Sequence, residues 1–147
     1  MTPAISIVIP TFDRGDVLLD TVRALFALRD RADEVLIIDQ TPQPPASVAK
    51  QLQNWEKAGA VRWLRLDRPS IPRAMNVGLQ SAASEIVLFL DDDIVPGPRL
   101  VAAHRAAQPI TLVLGRRLLR LRPGYPHGVS ATAGRGRDRR TRSGLRF

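Results

Sequence analysis

The stretch Ile5-Ser6-Ile7-Val8-Ile9-Pro10-Thr11 is a short run of β-branched apolar residues that ends at a polar loop. Similar apolar runs occupy residues 35–38, 61–66, 86–90 and 110–114, and their starts lie 24 to 30 residues apart. This spacing leaves room for a crossover helix between successive strands, which parallel pairing requires. Most runs are continuously apolar, as is typical of parallel strands covered on both faces. The predicted fold class is therefore α/β, an open, mostly parallel sheet with flanking helices.

The segments between the runs carry apolar residues at helical spacing. Asp16 is suited to cap the first helix and Ser47 precedes the second. Pro72 and Pro98 fit the first turns of a third and a fourth helix. Two arginines interrupt the run at residues 61–66, so this strand is predicted to lie at an edge of the sheet.

Charge is distributed unevenly along the 147 residues, which carry a formal net charge of +8. Residues 1–108 contain 12 basic and 13 acidic side chains, whereas residues 109–147 contain ten arginines and one acid, Asp138. We predict an α/β domain over residues 1–115 and a disordered Arg- and Gly-rich tail over residues 116–147, because the tail has few large apolar residues. Residues 116–122 either extend the fifth strand or form a short amphipathic segment.

Several classes of protein are excluded by what the sequence lacks. It contains no cysteine, which excludes disulfides and thiolate metal sites. No apolar run approaches the roughly 20 residues that span a bilayer, and no secretory signal precedes the first strand. We expect a cytoplasmic location, with peripheral attachment at the inner face of the membrane as the alternative.

Polar residues follow the predicted strands, at the edge where an open parallel sheet binds its ligands. The most distinctive group is Asp91, Asp92 and Asp93. Three adjacent carboxylates repel one another, and a divalent cation would compensate for this. Because Mg²⁺ and Mn²⁺ prefer oxygen ligands that are often shared with substrate phosphates, the group predicts a metal site and a phosphorylated substrate. The alternative is a solvated acidic loop that caps the next helix.

Glycine-rich phosphate loops of the dinucleotide-binding and P-loop types are absent from the sequence. Phosphates would then depend on a cation and on arginine, whose guanidinium can bridge two phosphate oxygens. Arg73 and Arg14 are the candidates, although Arg14 fits an ordinary exposed side chain better.

Four motifs resemble, in order, the nucleotide-sugar half of family 2 glycosyltransferases. They are ISIVIPTFDR at residues 5–14, VLIID at 35–39, RAMNVGL at 73–79 and VLFLDDD at 87–93. The resemblance covers residues 4–114 and implies a GT-A type fold that binds a nucleoside diphosphate sugar and a divalent metal, Mn or Mg. It also implies transfer of the sugar, with inversion, to an acceptor that is a saccharide, a lipid or a protein.

The resemblance implies a role for each matching residue. The nucleotide-sugar-binding residues would be Pro10, Thr11, Phe12, Asp39, Arg73, Asp91 and Asp92, and the metal ligand would be Asp93. In this scheme Asp39 accepts a hydrogen bond from the base and Asp91 faces the ribose or the sugar. Asp93 holds the metal that bridges the diphosphate.

Three departures from the family pattern are visible. Gln40 stands where the family often has a second Asp, and Met75 stands where many members place Arg. The acceptor half, which supplies the general base, should follow the fifth strand, but Asp138 is the one acid after Asp93. We therefore expect an incomplete, truncated form whose catalytic base is unknown.

Two other functions compete with this interpretation. Residues 89–95 also resemble the apolar strand and D-x-D-x-[TV] motif of aspartyl-phosphate phosphatases, with Asp91 as nucleophile, but that class needs a later lysine and none follows Lys57. The other is a non-catalytic binder, whose tail arginines would give a weak, salt-sensitive attraction to nucleic acid or anionic surfaces.

Overall fold

A computed structural model describes residues 2–107 and, as backbone, residues 110–114 and 117–121. The first eight elements alternate strand and helix: β1 (Ile5–Thr11), α1 (Gly15–Phe26), β2 (Glu34–Asp39), α2 (Ala46–Lys57), β3 (Arg62–Arg65), α3 (Ile71–Ser81), β4 (Ile86–Phe89) and α4 (Leu100–Ala106). This alternation agrees with the strand spacing in the sequence.

The first four strands form one parallel sheet in the order β3-β2-β1-β4. Ile7 lies opposite Val35 of β2 on one side and Leu88 of β4 on the other. The parallel α/β sheet and the edge position of β3 are thereby confirmed. The chain runs outward from β1 to β3 and then returns to β4 on the other side of β1, so the order reverses between β1 and β4.

Side chains alternate along each strand and therefore point to both faces of the sheet. An apolar cluster that includes helix residues covers each face. Ile5, Ile7 and Ile9 of β1 face a cluster that contains the apolar sides of α1, α2 and α4. Val8 faces the opposite cluster, which α3 covers. A Cβ added to Gly78 of α3 would lie 2.3 Å from Val8 Cγ1, so glycine allows this helix to approach the sheet closely.

Local signals place most helix starts within one or two residues. Ser70 Oγ accepts a backbone N–H from the first turn of α3, and Pro72 lies in that turn as predicted. In α1 the N-cap is Arg14, and Asp16 lies in the first turn instead of capping it. The α4 helix begins two residues beyond Pro98.

The fifth strand does not join the parallel sheet. β5 (Ile110–Leu114) pairs antiparallel with β6 (Arg117–Leu121) in a two-stranded sheet of their own. β6 lies in residues 116–122, where the sequence favours either an extension of the fifth strand or a short amphipathic segment, and it forms a separate antiparallel strand. Residue 116 and residues 122–147 of the predicted tail lie outside the described residues. Within the described part of the chain, no helix is long and apolar enough to cross a membrane.

Candidate functional site

The carboxyl ends of β1 and β4 open onto a cavity of about 470 Å³, which we call the site cavity. Its lining residues are Pro10, Thr11, Phe12, Arg14, Gln40, Ile71, Met75, Phe89, Leu90, Asp91, Asp92 and Ile94. They come from the ends of three strands, from the first turns of α3 and from the loop after β4. The cavity lies where the strand order reverses, which is where open α/β sheets bind their ligands.

The loop between β1 and α1 forms one wall of the site cavity. Asp13 has a φ of 55° and Gly15 a φ of 46°, so the chain passes through the left-handed region on both sides of Arg14. Asp13 N donates a hydrogen bond to Thr41 Oγ1 at 2.9 Å, which ties the loop to the end of β2. Glycine and aspartate tolerate this region better than most residues. The result is a tight loop that presents Phe12 and Arg14 to the cavity.

The acidic turn after β4 forms the opposite wall. Thr21 Oγ1 of α1 donates to the backbone oxygens of Asp92, at 2.9 Å, and Ile94, at 3.2 Å. The Asp92 side chain is nearly buried, whereas that of Asp93 is 48% exposed. α1 therefore holds the backbone of the turn while its carboxylates differ in their access to solvent.

Arg14 is the cation that lies closest to this turn among the described side chains of the cavity wall. Its Nε lies 3.6 Å from Asp92 Oδ1, and its terminal nitrogen Nη2 lies 3.6 Å from Asp93 Oδ2. The sequence favoured an ordinary exposed side chain for Arg14, but the structure makes it a residue of the candidate site. Its sequence signal was its position in the loop that follows the first strand.

Asp39 is buried on the other side of β2, away from the cavity lining. Its carboxylate accepts hydrogen bonds from Thr41 N at 2.8 Å and from the indole Nε1 of Trp63 at 3.1 Å. Asp39 shares this face of the sheet with Ile37, because side chains two apart in a strand point the same way.

Gln40, the next residue, does line the site cavity. Its backbone N donates to Thr11 O at 2.9 Å, and its side-chain Oε1 accepts from Ser70 N at 2.6 Å. A buried amide therefore joins the ends of β1 and β2 to the start of α3. An aspartate at this position would accept hydrogen bonds but could not donate one.

Arg73 lies outside the cavity lining, in an exposed ion pair with Asp67. The hydrogen bond from Arg73 lowers the pKa of the Asp67 carboxyl. α3 instead presents two apolar side chains, Ile71 and Met75, to the cavity. The helix that was expected to supply a phosphate-binding arginine thus contributes an apolar wall.

The structure therefore brings together five of the eight predicted site residues, namely Pro10, Thr11, Phe12, Asp91 and Asp92. Asp93 is not part of the cavity lining, but its carboxylate lies near Arg14, which is. The other two residues have their partners outside the lining: Asp39 contacts Trp63, and Arg73 pairs with Asp67. Sequence reasoning did not single out Thr21, because a threonine within a helix gives no local sign that it anchors a loop about 70 residues away.

Among the described residues of the cavity wall, one buried side-chain atom is without a hydrogen-bond partner. Thr11 Oγ1 is buried and has no hydrogen-bond partner within the described part of the chain. A buried hydroxyl without a partner is costly. Among residues 2–107, no three His, Asp or Glu side chains converge on a point where they could hold a metal by themselves.

A larger cavity, of about 660 Å³, lies at the opposite end of the sheet, around the amino ends of β2, β3 and β4. Glu34, one of its lining residues, is ion-paired with Arg62 and accepts hydrogen bonds from Ser6 Oγ and Ala83 N. Burial alone would raise the pKa of Glu34, but these bonds outweigh burial and the pKa is lowered. The contacts of Glu34 tie β1, β2 and β3 together, so we assign this end of the sheet a structural part.

Comparison with known proteins agrees with the motifs. The family model of Glycosyl transferase family 2 matches residues 6–118. This chain belongs to that family. A relative, the O-antigen biosynthesis protein RfbC of Myxococcus xanthus, is 31% identical over 138 residues, which are 90% of this chain and 10% of that protein. The chain thus spans about a tenth of the length of this relative.

Solved structures share this fold. The mannosyltransferase PcManGT of Pyrobaculum calidifontis, in complex with GDP-Man and Mn²⁺, has a TM-score of 0.61 at 19% identity, over 74% of this chain and 34% of that one. TarS 1-349 of S. aureus has a TM-score of 0.57 at 17% identity, over 70% of this chain and 31% of that one. At these identities the likeness shows the fold, which is of the GT-A type.

Proposed function

We propose that this family 2 glycosyltransferase chain binds a nucleoside diphosphate sugar in the site cavity and is the donor-binding part of the enzyme. The observation that carries the proposal is the meeting of the Thr11–Arg14 loop and the acidic turn across one cavity at the reversal of strand order. Structures of the same fold support it, since one holds GDP-Man with Mn²⁺ and another holds UDP-GlcNAc.

The first wall suits the nucleoside. Phe12 is 47% exposed at the cavity, and its ring offers an apolar face on which a planar base can stack. Pro10 and Thr11 line the same cavity at the end of β1, and Asp91 and Asp92 line it after β4, where a ribose or sugar would reach them. The contacts of Asp39 favour a supporting part, because it holds Thr41 and Thr41 in turn holds the loop that carries Phe12.

The second wall suits a divalent cation. A guanidinium, which is itself a cation, already lies 3.6 Å from the carboxylates of both Asp92 and Asp93, so the turn attracts positive charge. Asp93 is the better exposed of the two and would hold Mn²⁺ or Mg²⁺ together with diphosphate oxygens. When bound, the metal would stabilise the charge that develops on the leaving diphosphate.

Transfer itself, with inversion, requires a carboxylate that removes the proton of the acceptor. After Asp93 the sequence offers one acid, Asp138, and it lies outside the described residues. We therefore propose donor binding as the part of the reaction that this chain performs by itself, with acceptor and base supplied outside the site cavity.

The phosphatase alternative is less well supported. It would use Asp91 as a nucleophile together with a later lysine, and no lysine follows Lys57. The family match supports glycosyl transfer instead. Binding of nucleic acid through the tail depends on residues outside those described and has no further support.

Calorimetric binding of UDP and of GDP to the full chain, with and without MnCl₂, tests the proposal. We expect binding that requires Mn²⁺ and that Asp93→Ala weakens about tenfold or more, since even the outer partners of metal ligands are worth about 10–100-fold in affinity. The matched control is Asp20→Ala, because Asp20 is an exposed aspartate on α1 that pairs with Arg23. An affinity for UDP and GDP that is the same with and without Mn²⁺, or the same in Asp93→Ala and wild type, would overturn the proposal.

A further inference from the structure

Arg14 lies between two carboxylates of the acidic turn and forms a hydrogen bond to neither. Both of its N···O distances, to Asp92 and to Asp93, are 3.6 Å, which is beyond hydrogen-bond range. By comparison, Arg23 lies 2.8 Å from Asp20 on the surface of α1. The guanidinium therefore lies between two carboxylates by electrostatic attraction, without the short contacts that would fix it.

The backbones on both sides of this contact are held firmly. The Asp13 hydrogen bond to Thr41 fixes the loop before Arg14, and Arg14 O accepts the backbone N–H of Val17 at the start of α1. Thr21 fixes the backbone of the acidic turn. The Arg14 side chain itself is 52% exposed. A long side chain can thus change partners here without any movement of the main chain.

The chemistry of the two cations favours such a change. A divalent ion prefers hard oxygen ligands and carries twice the charge of a guanidinium. A guanidinium is well suited to bridge phosphate oxygens. No other cation lines the site cavity among the described side chains, because α3 presents Met75 there and its Arg73 pairs with Asp67. A diphosphate that enters the cavity therefore meets Arg14 as its one arginine.

We propose that Arg14 is an exchangeable counter-ion: it neutralises Asp92 and Asp93 in the empty site and moves to the diphosphate when a divalent cation takes its place. This inference rests on the proposed function and deepens it, because it names the residue that replaces the phosphate-binding arginine on α3. It makes Arg14 a competitor of the metal in the absence of nucleotide and a ligand of the nucleotide in its presence.

The experiment compares the wild-type chain with Arg14→Gln in two titrations. With MnCl₂ alone, Arg14→Gln should bind Mn²⁺ about two- to fivefold more tightly, since an exposed ion pair is worth up to about 1 kcal/mol and its loss removes the competitor. With UDP or GDP at saturating Mn²⁺, the same variant should bind about tenfold more weakly, because a charge-assisted hydrogen bond is lost. A purely structural role of Arg14 would not move the two affinities in opposite directions.

The control is Arg23→Gln, which removes an arginine of similar exposure, 55% against 52%, and likewise breaks an ion pair with an aspartate. It should leave both affinities within about twofold. If Arg14→Gln fails to fold, Arg14→Lys keeps the charge and should retain wild-type Mn²⁺ binding while losing affinity for the nucleotide.

The outcomes separate the two proposals. If the wild-type chain binds neither UDP nor GDP with Mn²⁺, the proposed function fails and the inference fails with it. If the wild type binds them and Arg14→Gln behaves like Arg23→Gln, the inference alone is overturned. An Arg14→Gln chain that binds Mn²⁺ more weakly than wild type would also refute the counter-ion role.

Discussion

The close approach of α3 to the sheet builds one wall of the site cavity, and replacing Gly78 with alanine tests it directly. The added Cβ would lie 2.3 Å from Val8 Cγ1, and 3.4 Å from both Val8 Cβ and Val8 Cγ2. Carbon atoms pack at about 3.5–4.0 Å, so the shortest contact is too close by roughly 1.2 Å or more. Val8 is fully buried in β1, between β2 and β4, so it has little room to withdraw.

Two opposing effects set the magnitude. Alanine is favoured over glycine inside a helix by about 1 kcal/mol. Overpacking a core costs about 1–3 kcal/mol, and a contact as short as this one belongs at the upper end. The steric cost therefore exceeds the gain in helix propensity, and we expect Gly78→Ala to lower the free energy of unfolding by about 2 kcal/mol.

Urea unfolding of the full chain, followed by circular dichroism, measures this loss. Gly97→Ala is the matched control, because a Cβ at Gly97 meets nothing within 4 Å, and it should change stability by no more than about 0.5 kcal/mol. In a double-mutant cycle, Val8→Ala should cost less in the Gly78→Ala background than in the wild type, since the new methyl group occupies space that Val8 vacates. A Gly78→Ala chain as stable as wild type, or a cycle without coupling, would refute the packing argument.

Two further substitutions test the anchors of the fold and the site. Thr21→Val should lower the free energy of unfolding by about 1–2 kcal/mol, because it leaves the backbone oxygen of Asp92 without its donor. It should also weaken Mn²⁺-dependent UDP binding. Thr21→Ser keeps the hydroxyl and should retain both wild-type stability and wild-type UDP affinity. Equal UDP affinity in Thr21→Val would show that the acidic turn needs no anchor. For Glu34, whose pKa lies below its ordinary 4.5, the charged form stabilises the folded chain above that pH. The advantage of wild type over Glu34→Gln in unfolding experiments should therefore be largest near neutral pH and shrink as the pH falls below 4.5; a difference that grew on acidification would contradict this assignment.

The relation between sequence and site differs from residue to residue. The position of Asp91 and Asp92 beside the site cavity was predictable, because an acid directly after a strand lies at the carboxyl ends of a parallel sheet, where such sheets bind ligands. Asp39 has the same sequence signature, but the alternation of side chains along β2 directs it toward Trp63. The sequence could not exclude this, because it does not show which of two adjacent residues faces the site cavity.

Local sequence alone predicts the alternation of strands and helices, the edge position of β3 and the acids at the strand ends. These features depend on the length and polarity of local runs, which are visible in one dimension. The tertiary structure decided which strand ends meet: β1 and β4 are neighbours although about 80 residues separate them, and this brings Arg14 to Asp92 and Asp93. It also decided that residues 110–114 and 117–121 form an antiparallel pair instead of adding a fifth parallel strand. Strand order and partner choice follow from how all the apolar faces are buried at once, which no local run specifies.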